Sequence, residues 1–131
     1  MYSLNPHKLY PIAPIVPRSS HYVEYFQNGR MLEIYAKDIT YLKGEGNYTL
    51  VYTTNGNQYL ISKTIKFLRR RLTDHFVRVH KSFLVNANHV ISWPEPYKLM
   101  LADGRQVPVA RRRLKYTQIG LRNSNTEKSS I

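Results

Sequence analysis

The stretch FVRVHKSFLVN, residues 76–86, determines how the middle of this chain folds. Its first five residues alternate between apolar and polar side chains, which predicts a β-strand with the two valines on one face and Arg78 and His80 on the other. The alternation stops at a Lys-Ser step, and a second apolar patch follows at once. We therefore predict two strands joined by a short exposed turn.

Within this stretch, three side chains that can donate hydrogen bonds, Arg78, His80 and Lys81, lie within four positions of one another. The alternation assigns Arg78 and His80 to the polar face of the strand, where each has a plausible structural role. For His80, the sequence is equally compatible with a structural role and with a contact to a ligand. Lys81, with Ser82 beside it, is left at the turn. The sequence therefore singles out Lys81 as the side chain most exposed to a partner.

The chain on both sides of this stretch also reads as short strands separated by turn residues. Asn28-Gly29 is a strong signal for a β-hairpin, and Pro108 within an apolar run indicates an edge strand. Further strands are predicted at 38–42, 48–54, 58–62, 88–93, 97–101 and 105–109.

Residues 62–76 break the alternation of the strands. Apolar side chains recur at Ile65, Leu68 and Leu72, which is the stripe of a short amphipathic helix. A basic segment at 110–121 also has helical character. Together these patterns predict an all-β class, mainly β with eight to ten short strands and one or two short helices.

Three regions differ in composition along the chain. Residues 1–20 contain four prolines and are predicted to be an extended proline-rich N-terminal segment. Residues 21–120 carry the strand and helix patterns of one domain. Residues 121–131 are polar, and we expect them to form a C-terminal tail.

The net charge of +12 is unevenly distributed. Residues 61–122 contain fourteen Lys and Arg and three acidic residues, whereas residues 1–60 contain five bases and four acids. Clustered Lys and Arg bind polyanions by releasing condensed counterions, so a nucleic acid is a natural partner. A basic face that only confers solubility, binds acidic lipids or docks an acidic protein remains an alternative at this point.

Catalysis is disfavoured by the sequence. The five histidines lack the spacing of a metal-binding pair, and the acidic residues are too scattered for acid–base chemistry. The glycine-rich segment KGEGNY is not followed by the Lys-Ser/Thr step and helix that a phosphate-binding loop requires. We expect no enzyme activity, no cofactor and no metal.

The chain contains no cysteine and no apolar run of about 18 residues. Its N-terminus also lacks the basic and apolar regions of a signal peptide. These features predict a soluble, intracellular protein without membrane insertion.

Three motifs, in order, resemble those of LytTR DNA-binding domains. FVRVHKSFLVN resembles the family pattern F-x-R-[IVC]-H-[RKN]-S-[YF]-[LV]-V-N. The upstream DITYLKGEGNYTLVYT and the downstream GRQVPVARRRLK resemble two further family stretches. The resemblance covers about residues 22–118. It implies an elongated fold of about ten strands in small antiparallel sheets, in which loops at strand ends enter successive major grooves of double-stranded DNA.

The resemblance also implies which residues contact DNA. Those expected to contact a base or the backbone lie in three places: Asn47 and Tyr48, Lys81 and Ser82, and Arg111 and Arg112. The triplet of arginines leaves the register of the last pair uncertain by one. Residues expected at most to contact phosphates are Gly46, Lys63, Lys66, Arg78, Arg113 and Lys115.

Family members usually follow a phospho-acceptor receiver domain, whereas here only the proline-rich segment precedes the first strand. This predicts either a stand-alone transcriptional regulator, associated with the nucleoid, or a shortened chain. The resemblance further implies a bacterial, cytoplasmic location, binding to direct repeats and pairing of two copies on DNA. For a stand-alone regulator, pairing through its tails or control by a regulatory protein partner is expected in place of phosphorylation. A basic interaction module and a small-β RNA binder are the alternatives. The RNA binder would stack bases on Tyr48, Tyr52 and Tyr59.

Overall fold

The computed structural model describes residues 21–72 and 75–129, with side chains described as far as Ser124. The predicted proline-rich segment, residues 1–20, lies outside the described residues. Ten strands and two α-helices follow one another along the described part of the chain. They are β1 (Tyr22–Gln27), β2 (Arg30–Tyr35), β3 (Ile39–Glu45), β4 (Tyr48–Thr53), β5 (Gln58–Ile61), α1 (Ile65–Arg69), β6 (Phe76–His80), β7 (Phe83–Asn86), β8 (Val90–Glu95), β9 (Lys98–Leu101), β10 (Gln106–Pro108) and α2 (Leu114–Ser129).

The strands form three antiparallel sheets. A central sheet has the order β5-β4-β3-β7-β6, a second sheet has the order β10-β9-β8, and β1 pairs with β2 alone. The predicted class, with about ten strands in small antiparallel sheets, is confirmed. Pro108 lies in β10, which is an edge strand as predicted.

The central sheet is covered on both faces. Alternate side chains of its strands point to opposite sides, so Leu42 and Leu84 pack with α1 and the β1–β2 hairpin. Their neighbours Tyr41 and Val85 pack with the sheet of β8, β9 and β10 on the other side. Two apolar cores therefore hold the central sheet between two layers and fix the positions of its turns.

The β1–β2 turn has the backbone conformation that its sequence, Asn28-Gly29, favours. Asn28 and Gly29 have φ angles of 52° and 75°, which is the type I′ pattern that matches the twist of the flanking strands. All six residues of β1 then pair in register with β2. The predicted hairpin is confirmed.

Helix α1 is held by a side-chain cap. The hydroxyl of Thr64 accepts a hydrogen bond from the backbone N–H of Phe67 at 3.2 Å, as an N-cap residue does. The buried side chains of Ile65, Leu68 and Leu72 pack into the first core, as the stripe predicted. The α-helical part ends at Arg69, so the helix is shorter than the stripe alone indicated.

Helix α2 is longer than the sequence indicated. It runs to Ser129, so position 121, where we expected the tail to begin, lies inside the helix. Among its described side chains, Thr117 and Ser124 are buried, and Leu114 and Leu121 pack partly buried against the second core. A Cβ at Gly120 would approach the two methyl groups of Val77 to 2.9 Å, so α2 lies very close to β6. Between Leu121 and the end of the helix at Ser129 the sequence has no apolar residue, so no apolar periodicity indicated how far the helix extends.

Candidate nucleic-acid interface

Two turns predicted to contact DNA lie side by side at one end of the central sheet. Gly46-Asn47 joins β3 to β4, and Lys81-Ser82 joins β6 to β7. Because β3 pairs with β7, these turns emerge at the same end of the sheet. The backbone N–H of Gly44 donates to the carbonyl oxygen of Ser82 at 2.8 Å, which joins the two hairpins directly.

The arginine triplet is brought to the same region through β6. The backbone N–H of Ala110 donates to the carbonyl oxygen of Val79 at 2.9 Å. A guanidinium N–H of Arg113 donates to the carbonyl oxygen of Arg78 at 3.3 Å. These bonds attach the 3₁₀ helix Arg111–Arg113 to the strand that leads into the Lys81 turn. The structure therefore brings all three predicted contact segments together.

The three arginines of the triplet point in different directions, as expected for about three residues per turn of a 3₁₀ helix. The guanidinium of Arg111 lies over the ring of Tyr97, 5.6 Å from its centroid. Arg113 is turned towards Arg78. Arg112 is exposed, and its side chain has no partner among the described residues. Arg111 is thus held with its N–H donors free, and Arg112 is free to reach outwards.

Side chains of β6 shape the Lys81 turn. Arg78 donates from Nε to the carbonyl oxygen of His80 at 3.1 Å and from Nη2 to the carbonyl oxygen of Lys81. The backbone N–H of Ser82 donates to Nδ1 of His80 at 3.0 Å, and the His80 ring packs edge-on against Phe83. Both residues therefore have the structural role that the sequence left open. The ammonium group of Lys81 has no partner among the described side chains.

The local electrostatics keep His80 neutral. Burial lowers the pKa of His80 below its ordinary value of 6.5, and the neighbouring cations Lys81, Arg113 and Arg78 lower it further. A neutral ring leaves Nδ1 free to accept the hydrogen bond from Ser82. Burial, followed by Arg113 and Arg69, also lowers the pKa of Arg78, although a guanidinium stays protonated.

The remaining predicted phosphate contacts surround this end of the sheet. The turn residues Gly46 and Asn47 are exposed, as are Lys66 and Lys115. Lys63 follows β5, and its carbonyl oxygen accepts a hydrogen bond from the Thr49 hydroxyl at 2.6 Å. That bond fixes the backbone of Lys63 beside the start of β4. Lys66 lies on α1, which contacts β3 and β7, and Lys115 lies on α2, which contacts β6.

The tyrosines considered for stacking RNA bases differ in their exposure. The rings of Tyr52 and Tyr41 are stacked on each other with centroids 4.3 Å apart. Tyr59 packs edge-on against Tyr25 at 5.0 Å. Only Tyr48, of the three, is exposed. An open aromatic platform on the sheet is therefore not formed by these residues.

Sequence reasoning missed two partnerships at this end. Tyr97, which supports Arg111, was predicted only as the first residue of the strand 97–101, and nothing in the sequence indicated this contact. The Tyr116 hydroxyl accepts a hydrogen bond from Arg69 at 2.7 Å across 47 residues of sequence. Neither contact has a sequence spacing that could have indicated it.

Within residues 21–72 and 75–129, no group of three or more His, Cys, Asp or Glu side chains is placed to hold a metal ion. In the same part of the chain, no helix has the length and apolar character needed to cross a bilayer.

Comparison with known proteins identifies this arrangement. The LytTr DNA-binding domain family model matches residues 29–119, which is more than half of the chain. The sensory transduction protein LytT of Bacillus subtilis is 34% identical over 80 residues, covering 57% of this chain and 33% of that protein. The transcriptional regulatory protein YpdB of Escherichia coli O6:H1 is 28% identical over 108 residues, covering 79% and 44%.

The solved LytTr DNA-binding domain of a response regulator from Bacillus cereus has the same fold. It superposes with a TM-score of 0.67 at 22% identity, covering 78% of this chain and 97% of that one. The chain spans about a third to under half of the length of the curated relatives given above. The resemblance drawn from the three motifs is confirmed, and the chain belongs to the LytTR DNA-binding domain family.

Proposed function

We propose that this protein is a transcriptional regulator that binds specific double-stranded DNA sequences in the bacterial cytoplasm. In this proposal the Lys81 turn and the arginine triplet enter successive major grooves. Lys81 and one of Arg111 and Arg112 read base edges there. Asn47 and Tyr48 contact a base edge or a phosphate, while the surrounding lysines hold the DNA backbone.

The observation that carries this proposal is the convergence of three segments at one end of one sheet. The Gly44–Ser82 and Ala110–Val79 backbone hydrogen bonds join them. This end of the sheet presents the side chains of Lys81, Arg111 and Arg112. Such a surface suits major-groove recognition, because Lys and Arg pair with the acceptors O6 and N7 of guanine. The fold contains no helix-turn-helix among the described elements, so turns rather than a recognition helix make these contacts.

The first test is selection of binders from a random duplex pool, followed by salt-titrated binding. A specific regulator should enrich one motif and keep its preference over random duplex as salt rises, whereas a non-specific polyanion binder loses affinity for all sequences together. A motif containing a direct repeat spaced by about one or two helical turns would also support pairing of two copies on DNA. An unenriched pool would overturn the proposal and favour a basic module that docks an acidic protein.

The second test assigns the base-reading side chains. Lys81→Ala should cost about 1–3 kcal/mol of binding free energy on the preferred duplex and relax specificity at one position. Arg111→Ala and Arg112→Ala, measured separately, should show that loss in one variant and a smaller loss in the other. Lys37→Ala is the matched control, because this exposed lysine precedes β3 at the opposite end of the sheet. Equal effects at Lys37 and Lys81 would contradict the assignment.

A further inference from the structure

Side chains from three elements meet beside the outer edge of β6. Arg69 ends α1, Arg113 ends the 3₁₀ helix, and Tyr116 lies in the first turn of α2. A guanidinium N–H of Arg69 donates to the Tyr116 hydroxyl at 2.7 Å. The guanidinium of Arg113 lies 6.0 Å from the centroid of the same ring. Tyr116 therefore holds two guanidinium groups that are 44 positions apart in the sequence.

Among the residues that the structure describes, no acidic side chain forms an ion pair with these arginines. Among the described residues, the ion pairs are Lys43–Glu45 and Arg105–Asp103, and neither involves this cluster. Both Arg69 and Arg113 are half-buried, and Arg78 lies close enough for their charges to act on it. Like charges gathered in a partly desolvated place repel one another. An arrangement of this kind is relieved when an anion binds.

We propose that Arg69 and Arg113, oriented by the Tyr116 hydroxyl, form a phosphate-binding site that takes one backbone phosphodiester of the bound DNA. The inference rests on the proposed function and deepens it. A planar guanidinium pairs with two phosphate oxygens at once, and two such groups supply both charge and direction. Arg78 adds charge nearby but uses N–H donors on the carbonyl oxygens of the Lys81 turn.

The position of the site relative to the turn supports a phosphate of the DNA backbone as the ligand. Arg113 is hydrogen-bonded to the carbonyl oxygen of Arg78, and Arg78 in turn bonds the carbonyl oxygen of Lys81. A phosphate held by Arg69 and Arg113 would thus lie beside the groove that Lys81 enters. Contacts of this kind fix the register of a protein on the duplex without reading its sequence.

The neighbours of Arg69 provide matched controls. Arg70 is exposed and has no described partner. The guanidinium of Arg71 lies over the ring of Phe67, 4.7 Å from its centroid. All three residues carry the same charge at the C-terminal end of α1, but only Arg69 is joined to Tyr116. A general effect of net charge would therefore be equal for Arg69 and Arg70, whereas a built site distinguishes them.

The test compares the salt dependence of DNA binding for the full chain and for Arg69→Gln, Arg70→Gln and Tyr116→Phe. Loss of one phosphate contact should reduce the slope of log K against log salt by about 0.9. We expect this reduction for Arg69→Gln, a smaller one for Tyr116→Phe, and none for Arg70→Gln. Base preference should be unchanged in all three variants. Equal slopes for the Arg69 and Arg70 variants would overturn the inference.

Inorganic phosphate distinguishes the source of the ligand. If the site takes only a phosphodiester within DNA, phosphate ion at matched ionic strength should not reduce binding to duplex more than chloride does. Stronger inhibition by phosphate that is lost in Arg69→Gln would show that the site accepts a free anion, which would overturn its assignment to DNA alone. If no sequence preference exists at all, the proposed function fails, yet a slope difference on random duplex would still support the phosphate site.

Discussion

The Gly46-Asn47 turn and the Lys81-Ser82 turn lie next to each other, but they obtain their shapes differently. In the first, Gly46 has a φ of 63° and Asn47 does not have a positive φ, which is the pattern of a type II′ turn. In the second, neither residue has a positive φ. Turns of that kind splay the strands that they join, and β6 carries an irregularity in its pairing between Arg78 and His80.

The second turn compensates with side chains. Arg78 donates to two of its carbonyl oxygens, and His80 accepts from Ser82. Backbone geometry thus determines the shape of the Gly46-Asn47 turn, whereas side chains of β6 hold the Lys81-Ser82 turn. We therefore expect Arg78 and His80 to affect DNA binding through the shape of the turn and not by contact with the DNA. Three changes test this difference.

Substitution of Arg78 should have the largest effect on DNA binding. Arg78→Ala removes both bonds to the turn, so we expect a loss on the preferred duplex similar to that of Lys81→Ala, about 1–3 kcal/mol. Combining the two changes should cost less than the sum of the single losses, because both act on one contact. Binding to preferred and scrambled duplexes, measured at several salt concentrations, checks this.

Arg78→Lys is the control for charge, since an ammonium group keeps the charge but does not reproduce the planar fork of a guanidinium. A positioning role predicts that Arg78→Lys relaxes base preference while the salt slope stays unchanged. If instead the affinity for all duplexes falls alike in Arg78→Ala and is restored in Arg78→Lys, Arg78 contacts a phosphate, as the sequence predicted.

Substitution of Gly46 should have an intermediate effect, on both stability and DNA binding. A Cβ there would meet no atom within 4 Å, so Gly46→Ala costs only the strain of a positive φ, about 1–2 kcal/mol. Gly104→Ala, in the β9–β10 turn with a φ of 89°, should cost a similar free energy of unfolding. Chemical denaturation checks the pair. Only Gly46→Ala should also weaken DNA binding, and equal binding by both variants would exclude the Gly46 turn from the interface.

Substitution of His80 should have the smallest effect, which we expect to see in how the free energy of unfolding depends on pH. Its pKa is lower in the folded protein than the ordinary 6.5, so the unfolded chain binds the proton first as the pH falls. The stabilising contribution of neutral His80 is therefore complete above about pH 6.5 and declines below it. Unfolding by denaturant between about pH 8 and pH 5 should show a smaller loss of stability in His80→Gln than in the wild type. Parallel pH profiles would contradict this role.

Features with a local cause were predictable from the sequence. The Asn28-Gly29 hairpin and the edge position of Pro108 each follow from backbone chemistry within a few residues. The position of the candidate site followed from the three motifs. The contacts that organise this site did not follow, because Arg69 and Tyr116 meet only after α1 and α2 have packed on the sheet. The length of α2 was missed because no apolar residue follows Leu121 within the helix.

The bracing of the Lys81 turn also bears on how such a protein could acquire a new target. The side chain of Lys81 takes no part in holding its own turn, which depends on Arg78, His80 and the carbonyl oxygen of Ser82. If Lys81 reads a base as proposed, substitution at position 81 should change which base is preferred while the loop keeps its shape. We therefore expect that variation of this one codon retargets the domain without redesign of its scaffold.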